Sequence, residues 1–342
     1  MKTSSPLTVA RILFLLVGAV LLTYLLHRVG LGTILSYIRD IGWSFLPILI
    51  LAFMWFSLYT IAWRQVLKRI SAAIPFWQLF RIKLSGEAVN TLTPLGFVGG
   101  DPLRIYLLKR FYSVTEGAAS VVVDRTLHIM ATLVVVIIGI MASFLRVKHL
   151  PDNIQYGVPI ALTVAITFMT FIFIHQRKGL FSVILSAAVK LGFKREFSEE
   201  TVARFEELDG HIVDFYESSR RNFWIAFGCH TLGRLLGIFE IFIAGRAVES
   251  QFTLFAALVL CALAPMVNLV FAFVPGALGV LEGAYGGVLY ILGFNPAIGI
   301  TIQIAKRMRA VVWISIGLFL LGTTDRKNAL RENFLDEVSR AP

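Results

Sequence analysis

Long apolar runs separated by short segments rich in Lys and Arg set the pattern of this chain. A helix crossing the hydrocarbon core of about 30 Å needs about 20 mostly apolar residues, at about 1.5 Å per residue. Seven runs meet that length: Val9 to Leu26, Trp43 to Trp63, Gly117 to Leu145, Tyr156 to His175, Asn222 to Gly245, Phe252 to Val274 and Pro296 to Gly322. The first follows Lys2 and contains Arg11, but Leu25-Leu26-His27-Arg28 offers no small-residue cleavage site, so it reads as a retained helix. Two shorter apolar stretches, Leu84 to Gly100 and Pro275 to Gly293, are interrupted by Pro and Gly and predict re-entrant or broken helices.

The distribution of Lys and Arg orients these spans. Arg64, Lys68, Arg69, Arg81 and Lys83 follow the second span with no acid among them, against only Arg28 and Arg39 before it. That side is therefore cytoplasmic and the amino terminus lies inside. A full crossing at Leu84 to Gly100 would put Arg104, Lys109 and Arg110 outside, so this stretch is read as re-entrant from the cytoplasmic face. A full crossing at Pro275 to Gly293 then returns the carboxyl tail to the cytoplasm. The expectation is an all-α polytopic bundle of about eight spans plus a re-entrant segment. It divides into a first transmembrane half (1–175), a cytoplasmic connector (176–221), a second transmembrane half (222–322) and a cytoplasmic tail (323–342). The connector holds eight basic and eight acidic residues, in the pattern of an amphipathic surface helix.

Composition closes off other classes. Of 342 residues, 57% are hydrophobic and only 15% charged, against about 45–50% and 25% in globular chains. Secreted, fibrous and disordered proteins are excluded. The formal charge of +11 sits beside hydrophobic runs, as membrane flanks do, and gives no reason to invoke nucleic acid. Cys229 and Cys261, both in apolar runs, support neither a disulfide framework nor a metal site. No nucleophile elbow, HExxH, CxxC or GxGxxG pattern occurs, so no catalytic residue, metal or cofactor is assigned.

The two interrupted stretches echo one another. Val89-Asn90 is followed by Pro94, Gly99, Gly100 and Asp101; Val267-Asn268 is followed by Pro275, Gly276, Gly279 and Glu282. In each, a Pro precedes a carboxylate by seven positions. Helix breaks free backbone groups that survive in lipid only against protein or a wet cavity, the arrangement of duplicated transporters. Span parity fits a parallel repeat better than an inverted one but leaves both open. GxxxG steps at Gly279, Gly283 and Gly287, at Gly96 and Gly100, and at Gly233 and Gly237 predict close helix contacts.

Ionisable residues within spans cost about 2.5–3.5 kcal/mol each on insertion scales and need a partner or a purpose. They comprise the cations Arg104, Arg125, Arg234, Lys306, Arg307 and Arg309, and the carboxylates Glu87, Asp101, Asp124, Glu240 and Glu282. Helical spacing allows Asp101 to meet Arg104, Asp124 to meet His128, and Glu87 to meet Asn90. Arg125 with Asp124 reads as a structural pair. Lys306, Arg307 and Arg309 lie too deep for snorkelling unless they border a polar chamber.

Gly86-Glu87-Ala88-Val89-Asn90 through Pro94, Gly99-Gly100-Asp101 with Arg104, then Asp124-Arg125, and finally Pro275-Gly276-Ala277-Leu278-Gly279-Val280-Leu281-Glu282-Gly283 resemble the lysylphosphatidylglycerol synthase transmembrane-region family over nearly the whole chain. The resemblance implies a flippase-like protein of the cell membrane, set in a bacterial inner membrane. It would move a polar-headed lipid, accompany envelope lipid-biosynthesis enzymes, and line its path with Glu87, Asn90, Asp101, Arg104, Arg125 and Glu282. The sequence contains no counterpart of the family's soluble aminoacyl-transfer domain, so synthesis of the aminoacyl lipid is not implied. Two rival readings stand beside the translocator. One is a membrane-embedded enzyme using Asp101, Glu87 or Glu282 on a lipid phosphate or glycolipid; the other is a non-transporting partner of pathway enzymes.

Overall fold

A computed structural model describes residues 42–70, 74–93, 99–147, 152–190, 198–271 and 279–339. The first predicted span, the break residues Pro94, Pro275 and Gly276, and Gly96 lie outside the described residues. A short 3-10 turn, Gly42–Ser44, leads into α1 (Phe45–Ile70). There follow α2 (Phe76–Leu92), α3 (Gly100–Leu108), α4 (Val114–Arg146), α5 (Asp152–Gln176), α6 (Leu180–Lys190) and α7 (Glu199–Ser218). The chain continues through α8 (Arg220–Arg246), α9 (Leu254–Val270), α10 (Val280–Ile291) and α11 (Ala297–Ser339). The described residues contain helices and no strands, as the sequence predicts of an all-α bundle. Among the described residues, four helices are long and apolar enough to cross a membrane: α1 with its leading turn, α4, α5 and α8.

Local chemistry sets the ends of these helices. Ser113 and Glu116 form a reciprocal capping box at the start of α4, with Glu116 N–H donating to Ser113 Oγ at 3.1 Å. The hydroxyls of Ser198 and Thr253 accept N–H groups at the starts of α7 and α9. Gly293, at φ +82°, ends α10 in a conformation that only glycine adopts cheaply.

Two sets of four helices repeat. Within the first, α1 packs on α2 and α4, α2 on α3, and α3 on α4. The same contacts recur among α8, α9, α10 and α11. Between the sets, α1 packs on α8, and α2 on α11 is matched by α9 on α4. The pairing of α1 with α8 gives the sense of the duplication. Ile48 clusters with Ile238, Ile241 and Ala244, Tyr59 stacks on His230, and Trp63 and Val66 share a core with Ala226. Equivalent helices therefore run antiparallel. A two-fold axis relating antiparallel partners lies in the membrane plane, so the repeat is inverted. Span parity misleads here because the repeat unit begins at α1 and not at the preceding span.

This symmetry also corrects the reading of Pro275 to Gly293 as a full crossing. The twelve residues of α10 extend about 18 Å, short of the hydrocarbon thickness. Instead α9 and α10 form a hairpin that answers α2 and α3, entered from the opposite face. The first hairpin is itself longer than predicted, because α2 begins at Phe76 and carries Arg81 and Lys83 inside the helix.

Without a strong hydrophobic drive between helices in lipid, close packing holds them, and small residues allow it. A side chain at Gly317 would meet the Leu84 carbonyl at 2.7 Å, where α11 crosses α2, and Ser85 donates to the Gly317 carbonyl at 3.1 Å. Gly233 faces Tyr59 as the GxxxG pattern predicts. Gly283 and Gly287 meet nothing within 4 Å among the described residues; Gly286, against Pro296 and Gly299, makes the contact of α10 with α11 instead.

Exposed aromatics mark two belts. Trp77 and Trp224 lie at the face where α2 and α8 begin, and Trp43, Tyr156 and Tyr290 at the other. The hairpin of α6 and α7 sits on the first of these, the connector face. Asp209 ties it together, accepting from Phe181 N–H at 3.1 Å and from Ser182 N–H and Oγ at 2.7 and 2.6 Å.

Candidate functional site

A cavity of about 440 Å³ opens where the two repeats meet. That volume is within the roughly 300–1,000 Å³ usual for small-molecule sites. Its wall draws on both repeats: Lys83 and Glu87 from α2, Arg104 from α3, Asp124, Arg125 and His128 from α4. Arg234 and Glu240 come from α8, Cys261 and Asn268 from α9, and Lys306 and Arg309 from α11. Trp55 and Tyr59 of α1 and Trp313 of α11 supply aromatic surface. On α9, Pro265 removes the N–H that would serve the Cys261 carbonyl, loosening the helix where it borders the cavity.

The first repeat contributes a dense ion network. Asp124, 2% exposed, accepts from Lys83 Nζ at 2.8 and 3.1 Å and from Arg104 at 2.6 Å. Arg104 also reaches Asp101 at 3.2 Å, as its helical spacing allows. Arg125 grips Asp101 through two bonds, Nε at 3.0 Å and Nη2 at 2.8 Å. The predicted Asp124–Arg125 pair is thus replaced by two pairs across helices, because neighbours on a helix point about 100° apart. Asn90 turns from Glu87: its carbonyl accepts Gly100 N–H at 2.8 Å and its amide donates to Asp101 at 3.3 Å. That closes the first hairpin, where a side chain at Gly86 would meet Arg104 Cδ at 2.8 Å and the Gly100 carbonyl at 3.0 Å.

Two histidines continue the network to α8. Arg234, which can only donate, bonds His128 Nε2 at 2.7 Å. A neutral His128 then carries its proton on Nδ1, 3.3 Å from His230 Nδ1, and His230 Nε2 donates to Asp124 at 3.1 Å. These tautomers are assigned from the network. Here Asp124 meets His230 and not the predicted His128.

The second repeat carries a related pattern. Asp101, second residue of α3, pairs with Arg125, twelfth of α4; Glu282, third residue of α10, pairs with Arg307, eleventh of α11. Glu282 also accepts Gly279 N–H at 2.9 Å, closing the turn into α10 at a glycine with φ +83°. One position along the long helices, however, Asp124 of the first repeat corresponds to Lys306 of the second. Lys306 donates to the Tyr285 hydroxyl at 3.2 Å. Arg309 Nε lies 2.6 Å from Glu240, close in charge but off the hydrogen-bonding angle, and stacks on Trp55 at 4.7 Å.

Of the residues selected from sequence, Glu87, Arg104, Asp124, Arg125, Arg234, Lys306 and Arg309 face the cavity together. Asn90, Asp101, Gly99 and Gly100 build the hairpin behind its wall, while Glu282 and Arg307 pair away from it with Gly279. Sequence reasoning missed Lys83, assigned to a loop, although its spacing of four from Glu87 puts both on one helical face. It also missed His230 and the aromatic wall, which have no local signature. Among the described residues, no group of His, Cys, Asp and Glu has the arrangement of a metal site.

The comparisons with known proteins point to membrane proteins. Residues 11–317 match the family described as the lysylphosphatidylglycerol synthase TM region. A UPF0104 membrane protein of Methanothermobacter thermautotrophicus is 22% identical over 316 residues, covering 89% of this chain and 92% of that protein. The UPF0104 membrane protein PH1989 of Pyrococcus horikoshii is 21% identical over 314 residues, covering 86% and 91%. Both relatives are archaeal, and no solved structure matches significantly. An apolar helical bundle and a family match spanning most of its length lead to one assignment: the chain is a multi-pass membrane protein belonging to the lysylphosphatidylglycerol synthase transmembrane-region family.

Proposed function

We propose that this protein moves a polar-headed lipid between the two leaflets, the headgroup passing through the cavity while the tails stay in hydrocarbon. The observation that carries this reading is a charge-lined cavity at the seam of two inverted repeats, each containing a broken-helix hairpin. Charged side chains are costly in a bilayer and persist where they serve a polar path. We further place the connector face, and with it both termini, in the cytoplasm. Lys68, Arg81, Lys109, Arg110, Arg177, Lys178, Arg220 and Arg221 gather at that face, against Arg146 and Arg246 at the other. Enzymes of envelope lipid synthesis would deliver or collect the cargo. A potential of about 100 mV, negative inside, favours export of one negative charge by about 2.3 kcal/mol.

The test uses vesicles containing the purified protein and a fluorescent short-chain phospholipid, with an impermeant quencher reporting movement between leaflets. The expected result is faster movement than in protein-free vesicles, lost in Asp101→Ala and Glu282→Ala variants that still purify as folded protein. Rates equal to empty vesicles, or unchanged movement in both variants, would overturn the reading. A chemically altered lipid after incubation in detergent would favour an enzyme instead.

A further inference from the structure

We infer that the cavity holds a phosphoryl group, gripped by Arg234 and Lys306. Among the described residues, Arg234 and Lys306 are cavity cations with no carboxylate within 4 Å, whereas Lys83, Arg104, Arg125 and Arg309 each have one. Arg234 rests on a neutral imidazole and its Nε, though buried, has no partner. Lys306 rests on a phenol hydroxyl. Both contacts are weak for a full charge and are given up at small cost to an anion. The two side chains come from different helices, α8 and α11, and border one cavity, whose wall also includes Cys261 of α9.

Charge arithmetic narrows the ligand. The wall and its immediate partners comprise Lys83, Arg104, Arg125, Arg234, Lys306 and Arg309 against Glu87, Asp101, Asp124 and Glu240. Two positive charges remain in excess, and the tautomers that satisfy the histidine chain are neutral. A phosphate monoester carries about −1.5 to −2 at neutral pH and presents three acceptor oxygens, which match both the excess and donors arriving from several sides. A carboxylate brings one charge in a plane that a single guanidinium fork can satisfy. A cationic headgroup would add like charge to the excess. Glu87, which makes no ion pair within 4 Å among the described residues, borders the same space and opposes an anion there.

This inference deepens the translocator reading and rests on it only for how the headgroup arrives. The test measures binding to the full-length protein in a neutral detergent. The probes are dioctanoyl phosphatidic acid, dioctanoylglycerol, inorganic phosphate and a dioctanoyl trimethylammonium lipid. Phosphatidic acid is expected to bind, weakening about tenfold or more in Arg234→Gln and in Lys306→Gln, and tightening several-fold in Glu87→Gln. The last variant moves affinity in a direction that damaged folding cannot imitate. Phosphatidic acid binding more tightly than inorganic phosphate identifies a lipid headgroup as the source; equal affinity, with no competition by dioctanoylglycerol, identifies free phosphate. Either result supports the phosphoryl site. Binding of the trimethylammonium lipid as tightly as phosphatidic acid, or affinities unchanged in all three variants, would overturn it. Phosphoryl binding without movement in vesicles would sink the translocator reading alone, and lipid movement without phosphoryl preference would sink this inference alone.

Discussion

Asp124 holds three basic groups from three other helices and is almost wholly buried, so replacing it by Asn is a severe test of the network. The side chains of Asp124 and Arg104 are each 3% exposed and that of Lys83 is 8%. Asn keeps the shape but removes the charge, leaving Lys83 and Arg104 facing one another. The value of about 0–1 kcal/mol for solvated pairs does not apply at this depth; breaking a buried pair costs about 3–5 kcal/mol. At about 2 °C per kcal/mol, the unfolding midpoint should fall by about 6–10 °C. A thiol-reactive dye reports it directly, since Cys229 and Cys261 are free and neither is fully exposed in the fold. Lys83→Met added to Asp124→Asn should recover part of the loss, because Arg104 retains Asp101 at 3.2 Å. A single variant melting within about 1 °C of the parent would refute the claim that these charges are desolvated and mutually dependent.

Three other outcomes follow from the packing. Asp209→Ala removes the acceptor for two α6 N–H groups and should cost about 1–2 kcal/mol locally, read as faster hydrogen exchange and proteolysis at 180–190. Gly317→Leu should abolish recovery of folded protein by forcing α11 from α2, whereas Gly287→Ala, on an exposed face, should be neutral or raise the melting point slightly. Exchanging the charges of Glu282 and Arg307 should restore stability lost in either single reversal, measured by the same dye, and failure to do so would refute their pairing.

Hydrophobic run length made the long helices legible, because a bilayer demands a nearly fixed number of apolar residues. The limits of the hairpin helices were partly legible for the same reason: α2 stops at Leu92 and α10 starts at Val280, near the Pro and Gly residues that stand out in the sequence. What sequence could not supply was partner choice. Helical spacing favoured Asp124 with His128 and Glu87 with Asn90, yet Asp124 turns to α2, α3 and α8, and Asn90 turns to its own hairpin. Those choices depend on which helices become neighbours, information held in matched surfaces such as Gly317 on Leu84 and not in local spacing. Lys83 shows the limit of charge counting, since it belongs to a basic segment by sequence and to the buried network in the fold. The sense of the repeat was hidden because parity depends on which span opens the unit, and run length does not mark α1 as its first helix.

The opposed charges at Asp124 and Lys306 give the duplicated scaffold a built-in bias. If backbone contacts alone mattered, trading the conformations of the two halves would yield a state of equal energy facing the other way, like a balance with identical pans. An acid on one pan and a base on the other remove that equality, so the two halves, alike in their helix contacts, are not interchangeable in charge.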